Sequence, residues 1–183
     1  MAVDATRDHV ERALSDGDGI LRLAPAWVAR DFLPPGRRLG LAPEAYDLGD
    51  RGAWCERWLA STTEADNRVG PDDEGLSYLA LDGPDRITLK EAVGSDPVAI
   101  IGQDYAATHD GLGRLAKIFD YSTRLPFHLH QRQKHAALVG RRSKDEAYYF
   151  PPAVDMGPHP ESFLGLHPSV AEGRNHDLLL PFL

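Results

Sequence analysis

Two nearby segments of this chain share a strict alternation of side-chain character, and that alternation limits the folds open to it. If Leu125 to His130 is extended, successive side chains point to opposite faces, so His128 and His130 share one face while Phe127 and Leu129 take the other. Lys144 to Phe150 has the same period. Lys144, Glu146, Tyr148 and Phe150 fall on one face, and Asp145, Ala147 and Tyr149 on the other. A short connection between the two pieces allows them to pair as strands and carries Glu146 toward the two histidines. Two imidazoles and one carboxylate with open positions form the ligand set of a catalytic metal centre, not of a closed structural one. His128, His130 and Glu146 are therefore the candidate metal ligands.

The bulk of the sequence narrows what such a site can serve. A chain of 183 residues with 42% apolar residues can bury the core of one domain. Its formal net charge of -8 argues against a nucleic-acid partner, which is met by a basic patch or stripe. Small molecules, sugars among them, and proteins remain open, as does self-association. Cys55 is the only cysteine, so no intrachain disulfide is available, and it reads as a small buried hydrophobe. Met1 to Gly19 carries Asp4, Asp8, Glu11, Asp16 and Asp18 and no apolar run, so it reads as neither signal peptide nor membrane span. A cytoplasmic protein without membrane partners is expected.

The same N-terminal stretch has Val3, Val10 and Leu14 on one side of a short helix, entered at Asp4 or Thr6 and stopped by Gly17 and Gly19. Residues 1–19 are read as a helical or flexible lead-in, and residues 20–183 as the domain proper. Pro25, Pro34, Pro35 and Pro43 break the next region into short extended pieces. Ala53 to Ser61 reads as a strand with Trp54, Glu56 and Trp58 on one face and Cys55, Arg57 and Leu59 on the other; Glu56 and Arg57 are read as solvent-facing or paired. Ser61 to Gly75 reads as a polar surface loop. Leu76 to Leu81 and Arg86 to Leu89 flank an Asp-Gly turn and predict a hairpin, followed by a short helix from Thr88. Pro97 to Ile101 and Leu112 to Phe119 are compact apolar runs, the second interrupted by Lys117. Ser162 to Leu166 reads as a further strand, and the apolar end at Leu178 to Leu183 needs a docking place. Short strands, frequent turns and few long helices predict an antiparallel β-sandwich or small barrel.

Several of these segments, taken in order, resemble the type I mannose-6-phosphate isomerase family of the cupin superfamily. Arg114-Leu-Ala-Lys-Ile-Phe-Asp120, Leu125-Pro-Phe-His-Leu-His130, His135-Ala136 and Lys144-Asp-Glu-Ala-Tyr-Tyr-Phe150 are similar to its Leu-x-Lys-Ile-Leu-Asp, Leu-x-x-Gln-x-His-Pro, Tyr-Ala and Gly-Lys-x-Glu-x-Trp-Tyr runs. Glu56-Arg-Trp58 resembles its early Glu-x-Trp strand. The resemblance implies a mainly β fold, a cupin-type antiparallel jelly-roll sandwich with short helical insertions, which this length of chain need not complete. It further implies an aldose-ketose isomerase that takes mannose 6-phosphate or a related sugar, with a divalent metal, zinc first and iron or manganese next. Carried over by position, the family's metal-binding His and Glu fall on His130 and Glu146, and its Gln falls on His128. Lys144 matches the family's lysine and is the catalytic candidate, placed to contact substrate oxygens or a phosphate. His135 stands second to Glu146 as third ligand.

Two departures accompany this likeness. Gln131 replaces the proline that follows the family's histidine, and no stretch between Leu166 and Leu183 resembles the family's later Val-Pro-x-Gly-x-x-His, which carries a fourth ligand. The expectation is a divergent, shortened or partial member, with a non-catalytic metal- or ligand-binding cupin as the alternative. His109, His159, His167 and His176 are read as surface residues.

Overall fold

The computed structural model of the chain describes residues 3–126, 128–163, 165 and 168–173. Two units can be distinguished, Met1–Phe127 and His128–Leu183.

The first unit begins with α1, Val3–Asp16. Thr6, Val10 and Leu14 recur at helical spacing. Thr6 and Val10 are buried, and Leu14 packs at the edge of a cluster formed by Val10, Leu79, Ile87 and Ala92. A helix of this length is marginal alone in water, so docking this stripe is what holds it. Complete burial of side chains the size of Val10 and Ile87 contributes about 1.5–3 kcal/mol each. The helix ends where Gly17 N–H donates to Ala13 O and Gly19 N–H to Leu14 O, with Gly19 in the left-handed region at φ 81°.

β1 (Ala26–Arg30), β2 (Ala53–Leu59) and β3 (Ala116–Phe119) form one antiparallel sheet in the order β1-β2-β3. The pairing slips between Val28, opposite Glu56, and Ala29, opposite Trp54, so Cys55 is an extra residue in β2. That bulge reverses the alternation. Ala53, Cys55, Glu56 and Trp58 are buried while Trp54 and Arg57 are half-buried, and Trp54 stacks on Trp27 at 6.3 Å while Arg57 lies over the Trp27 ring. The face assignment expected from strict alternation is thus correct only on the C-terminal side of the bulge.

Glu56 is 2% exposed and sits at the centre of the sheet's inner face, not in solvent. Its Oε1 accepts from Arg30 Nε at 3.1 Å and from the Tyr121 hydroxyl; its Oε2 accepts from Trp58 Nε1 at 2.8 Å and Lys117 Nζ at 3.2 Å. Burial raises its pKa, but the Tyr121 hydrogen bond, the Arg30 and Lys117 charges and the Trp58 hydrogen bond outweigh it, and the net shift is downward. Lys117 therefore interrupts an apolar run because it faces a buried carboxylate.

A second buried carboxylate pins the loop after β2. Glu74 Oε1 accepts from Ala29 N–H at 2.9 Å and from Arg51 Nη2 at 2.9 Å, and its Oε2 accepts from Asn67 Nδ2 at 3.0 Å. Asn67 Oδ1 in turn accepts from Arg30 Nη1 at 2.5 Å, which links Glu74 to Glu56 through one polar chain. Gly75, at φ 92°, lets this loop close on Trp58: a Cβ there would lie 2.6 Å from the indole ring. The third buried carboxylate, Asp120, accepts from Arg38 Nε and Leu39 N–H, both at 3.0 Å, and leaves no room for a Cβ on Gly36.

The predicted hairpin survives only as one isolated bridge, Tyr78 with Thr88, supported by Leu79 N–H to Ile87 O at 2.9 Å, while Leu79 also bridges to Leu23, outside the hairpin. Thr88 then caps α2, Leu89–Ser95, in a capping box: its hydroxyl accepts from Glu91 N–H while the Glu91 carboxylate accepts from Thr88 N–H. α3 (Pro97–Ile101) and α4 (Gln103–Ala106) follow. Asp96 caps α3 through Ala99 N–H, and Pro97 supplies a preset first turn, so this apolar run is helical.

The second unit contains α5 (Gln133–Ala136), a 3-10 turn at Ala137–Val139 and α6 (Pro168–Ala171), which Gly173 follows at φ 75°. Among the described residues it has no strand. The described residues of 125–130 and 144–150 are not joined by a ladder, and a three-stranded sheet with strands of 5, 7 and 4 residues replaces the expected mainly β jelly-roll sandwich. The physical reason lies in the cap and turn residues: Asp96 and Pro97 start a helix where an apolar count alone admits a strand, whereas the helix after Thr88 forms as expected. Of the predicted strand at Ser162–Leu166, residues 162, 163 and 165 have no regular structure, while Leu164, Leu166 and the end at Leu178 to Leu183 lie outside the described residues. No helix among the described residues is long and apolar enough to cross a membrane.

Candidate metal centre

The second unit places the candidate ligands through one reversal of the chain. After His128 and His130, residues 133–139 form α5 and its 3-10 extension, anchored by Ala136, which is buried. Gly140, left-handed at φ 67°, ends the turn, with Gly140 N–H bonded to Ala137 O and Arg141 N–H to Ala136 O. The chain then returns alongside its own start. Ser143 N–H donates to Gln133 Oε1 at 2.9 Å, tying the two limbs three residues from His130 on one side and three from Glu146 on the other.

Glu146 lies between the limbs with its side chain 17% exposed. Its Oε2 is 2.8 Å from His130 Nε2 and 3.6 Å from His128 Nε2, while its Oε1 accepts from Lys144 Nζ at 3.0 Å. The two imidazoles stand edge to face, 5.1 Å apart. One ligand atom from each of His128, His130 and Glu146 falls within 4.8 Å of the others. Tetrahedral zinc with bonds near 2.1 Å separates its ligand atoms by about 3.4 Å, and the two nitrogen-to-oxygen distances bracket that value. The donor set fits a divalent metal of the zinc, iron or manganese group, because it combines neutral imidazoles with a hard carboxylate.

Electrostatics favour an ionised Glu146. Its partial burial raises the pKa, but the hydrogen bonds from His130 and Lys144, the Lys144 charge and the Tyr148 hydrogen bond bring it down to about 2. Tyr148 moves the other way, raised by burial and then by the Glu146 charge and hydrogen bond. Its ring stacks on Phe150 at 6.4 Å. Lys144, Glu146, Tyr148 and Phe150 thus share a face, as period two requires, although their segment pairs with no strand among the described residues. An open cavity of about 550 Å³ adjoins the cluster, lined by His130, Arg132, Gln133, Lys144 and Glu146 among others.

All four candidates, His128, His130, Glu146 and Lys144, come together. His135 does not join them: it is exposed on α5 and outside the cluster. His109 is half-buried and stacked on Tyr105 at 3.8 Å, so it is less of a surface residue than expected, and His159 is exposed and lies 3.5 Å from Glu161. His167 and His176 lie outside the described residues. Sequence reasoning missed Gln133 and Ser143, whose tie depends on a turn that no two-residue period announces. It also missed Arg30 and Tyr121 as partners of Glu56. Opposite charges on neighbouring strands were the available signal, obscured by the bulge at Cys55. No family model, curated protein or solved structure matches the chain.

Proposed function

We propose that this chain is a metal-dependent aldose-ketose isomerase of the mannose-6-phosphate isomerase type, acting on mannose 6-phosphate or a related sugar in the cytoplasm. The supporting observation is the convergence of His128, His130 and Glu146 beside Lys144 at an open cavity. The reaction moves a proton between adjacent carbons through an enediol, which requires a polarised carbonyl and a general base. A divalent metal, zinc first, supplies Lewis acidity toward the carbonyl oxygen when held by these three residues.

The chain's own groups do the rest of the positioning. Glu146 remains a carboxylate at neutral pH, since its pKa is held near 2. Lys144, with its side chain 49% exposed, spends one N–H on Glu146 and has two more for a sugar oxygen or a phosphate. Conversion of mannose 6-phosphate to fructose 6-phosphate by the metal-loaded chain, abolished in His130→Ala, supports the reading; a parent protein that binds metal and converts neither this sugar nor its relatives refutes it.

A second reading, a non-catalytic metal- or ligand-binding protein, is favoured by one observation. Among the described residues the cluster contains three ligands where the resembling family uses four. Metal bound at one equivalent, lost in His130→Ala, without isomerase activity in the parent, selects this reading.

A further inference from the structure

The two oxygens of Glu146 are divided between the histidines and Lys144, and Tyr148 also hydrogen-bonds the carboxylate. Both histidine nitrogens face Oε2, at 2.8 and 3.6 Å, whereas the Lys144 ammonium takes Oε1 at 3.0 Å from two positions away on the same face. A carboxylate free on both oxygens can close on a metal through both of them, consuming a coordination position. A carboxylate with one oxygen engaged by an ammonium presents only the other. We infer that Lys144 is a positioning residue that restricts Glu146 to one metal-facing oxygen and so keeps a position open for a ligand at the centre. This rests on the reading of His128, His130 and Glu146 as a metal site.

The spacing accounts for the arrangement. Period two puts residues 144 and 146 on one face, so the lysine's reach ends beside the carboxylate rather than across the cavity. Outer partners of this kind orient the groups that touch a metal, and their loss alters the centre without removing a ligand. The arrangement also separates the charge of Lys144 from the imidazoles, since the ammonium and the histidines approach opposite oxygens of the same group.

Cobalt(II) substitution reads coordination number directly, because four-coordinate Co(II) absorbs visible light much more strongly than five- or six-coordinate Co(II). The full chain, Lys144→Met and Lys144→Arg are each loaded with Co(II), with binding stoichiometry measured in parallel. The expected result is one Co(II) per chain in all three, intense visible bands in the parent and Lys144→Arg, and loss of that intensity in Lys144→Met as the freed oxygen joins the metal. A Lys144→Met spectrum equal to the parent's overturns the positioning role and leaves the metal site standing. A parent that takes up no Co(II) overturns both.

Discussion

Replacing Glu56 by glutamine keeps the side chain's size and removes its charge, and the consequence follows from the donors around it. Arg30 and Lys117 are 13% and 15% exposed in their side chains, so two cations are left in a poorly hydrated space without a counter-charge. An amide can still accept through the oxygen that faces Arg30 and Tyr121, but its NH₂ then confronts the Trp58 N–H and the Lys117 ammonium, donor against donor. Breaking a buried ion pair from one side costs about 3–5 kcal/mol. That is a large part of the roughly 5–15 kcal/mol that holds an ordinary domain together. For a unit of this size the melting temperature should fall by roughly 10–20 °C. Trp27, Trp54 and Trp58 all lie in this sheet, so urea and thermal unfolding followed by tryptophan fluorescence report on the right unit. Lys117→Met, which leaves Glu56 its Arg30, Trp58 and Tyr121 donors, should cost less than Glu56→Gln. A Glu56→Gln loss below about 1 kcal/mol, the scale of an ordinary hydrogen bond, would refute the reasoning.

Other consequences are open to simpler measurements. Glu56 has a folded pKa below its ordinary value of 4.5, so its contribution is complete above that value and is lost as pH falls below it; the parent's unfolding free energy should drop on that acid limb and Glu56→Gln should flatten it. Tyr121 is raised above its ordinary 10, so its contribution is complete below pH 10 and is lost at higher pH, a limb that Tyr121→Phe should remove. Glu74→Gln sets an amide donor against those of Asn67 or Arg51 and should cost about 2 kcal/mol, with faster hydrogen exchange at Ala65 and Glu74 as the specific sign of a released loop. Thr88→Ala removes half of a capping box and should lower stability by about 1 kcal/mol in equilibrium unfolding.

The clustering of the candidate-site side chains was more legible in the sequence than the fold. His128, His130, Lys144 and Glu146 were readable because a two-residue period puts side chains on a common face whether or not the backbone finds a partner strand. The same period overstates order, since extended segments need a ladder to become a sheet, and residues 125–130 and 144–150 have none among the described residues. In the first unit the helix after Thr88 was legible in the sequence, and the helix-start signals at Asp96 and Pro97 were written there too, where they outweigh the apolar run that follows. The bulge at Cys55 was not readable. Nothing local marks it, and its cause is tertiary: it turns Glu56 inward to Arg30 and Lys117 and exposes the Ala29 N–H that Glu74 takes. The buried carboxylates Glu74 and Asp120 were hidden for the same reason, because their donors come from residues 7 to 82 positions away in the chain.

The proposed function depends on a metal held by His128, His130 and Glu146. Zinc titration of the purified, chelator-treated full chain, with bound metal counted after removal of excess, tests it most directly. One zinc per chain is expected in the parent and none retained in His130→Ala or Glu146→Ala, with both variants folded by circular dichroism. A parent that retains no zinc, iron or manganese, or variants that retain as much as the parent, would contradict it.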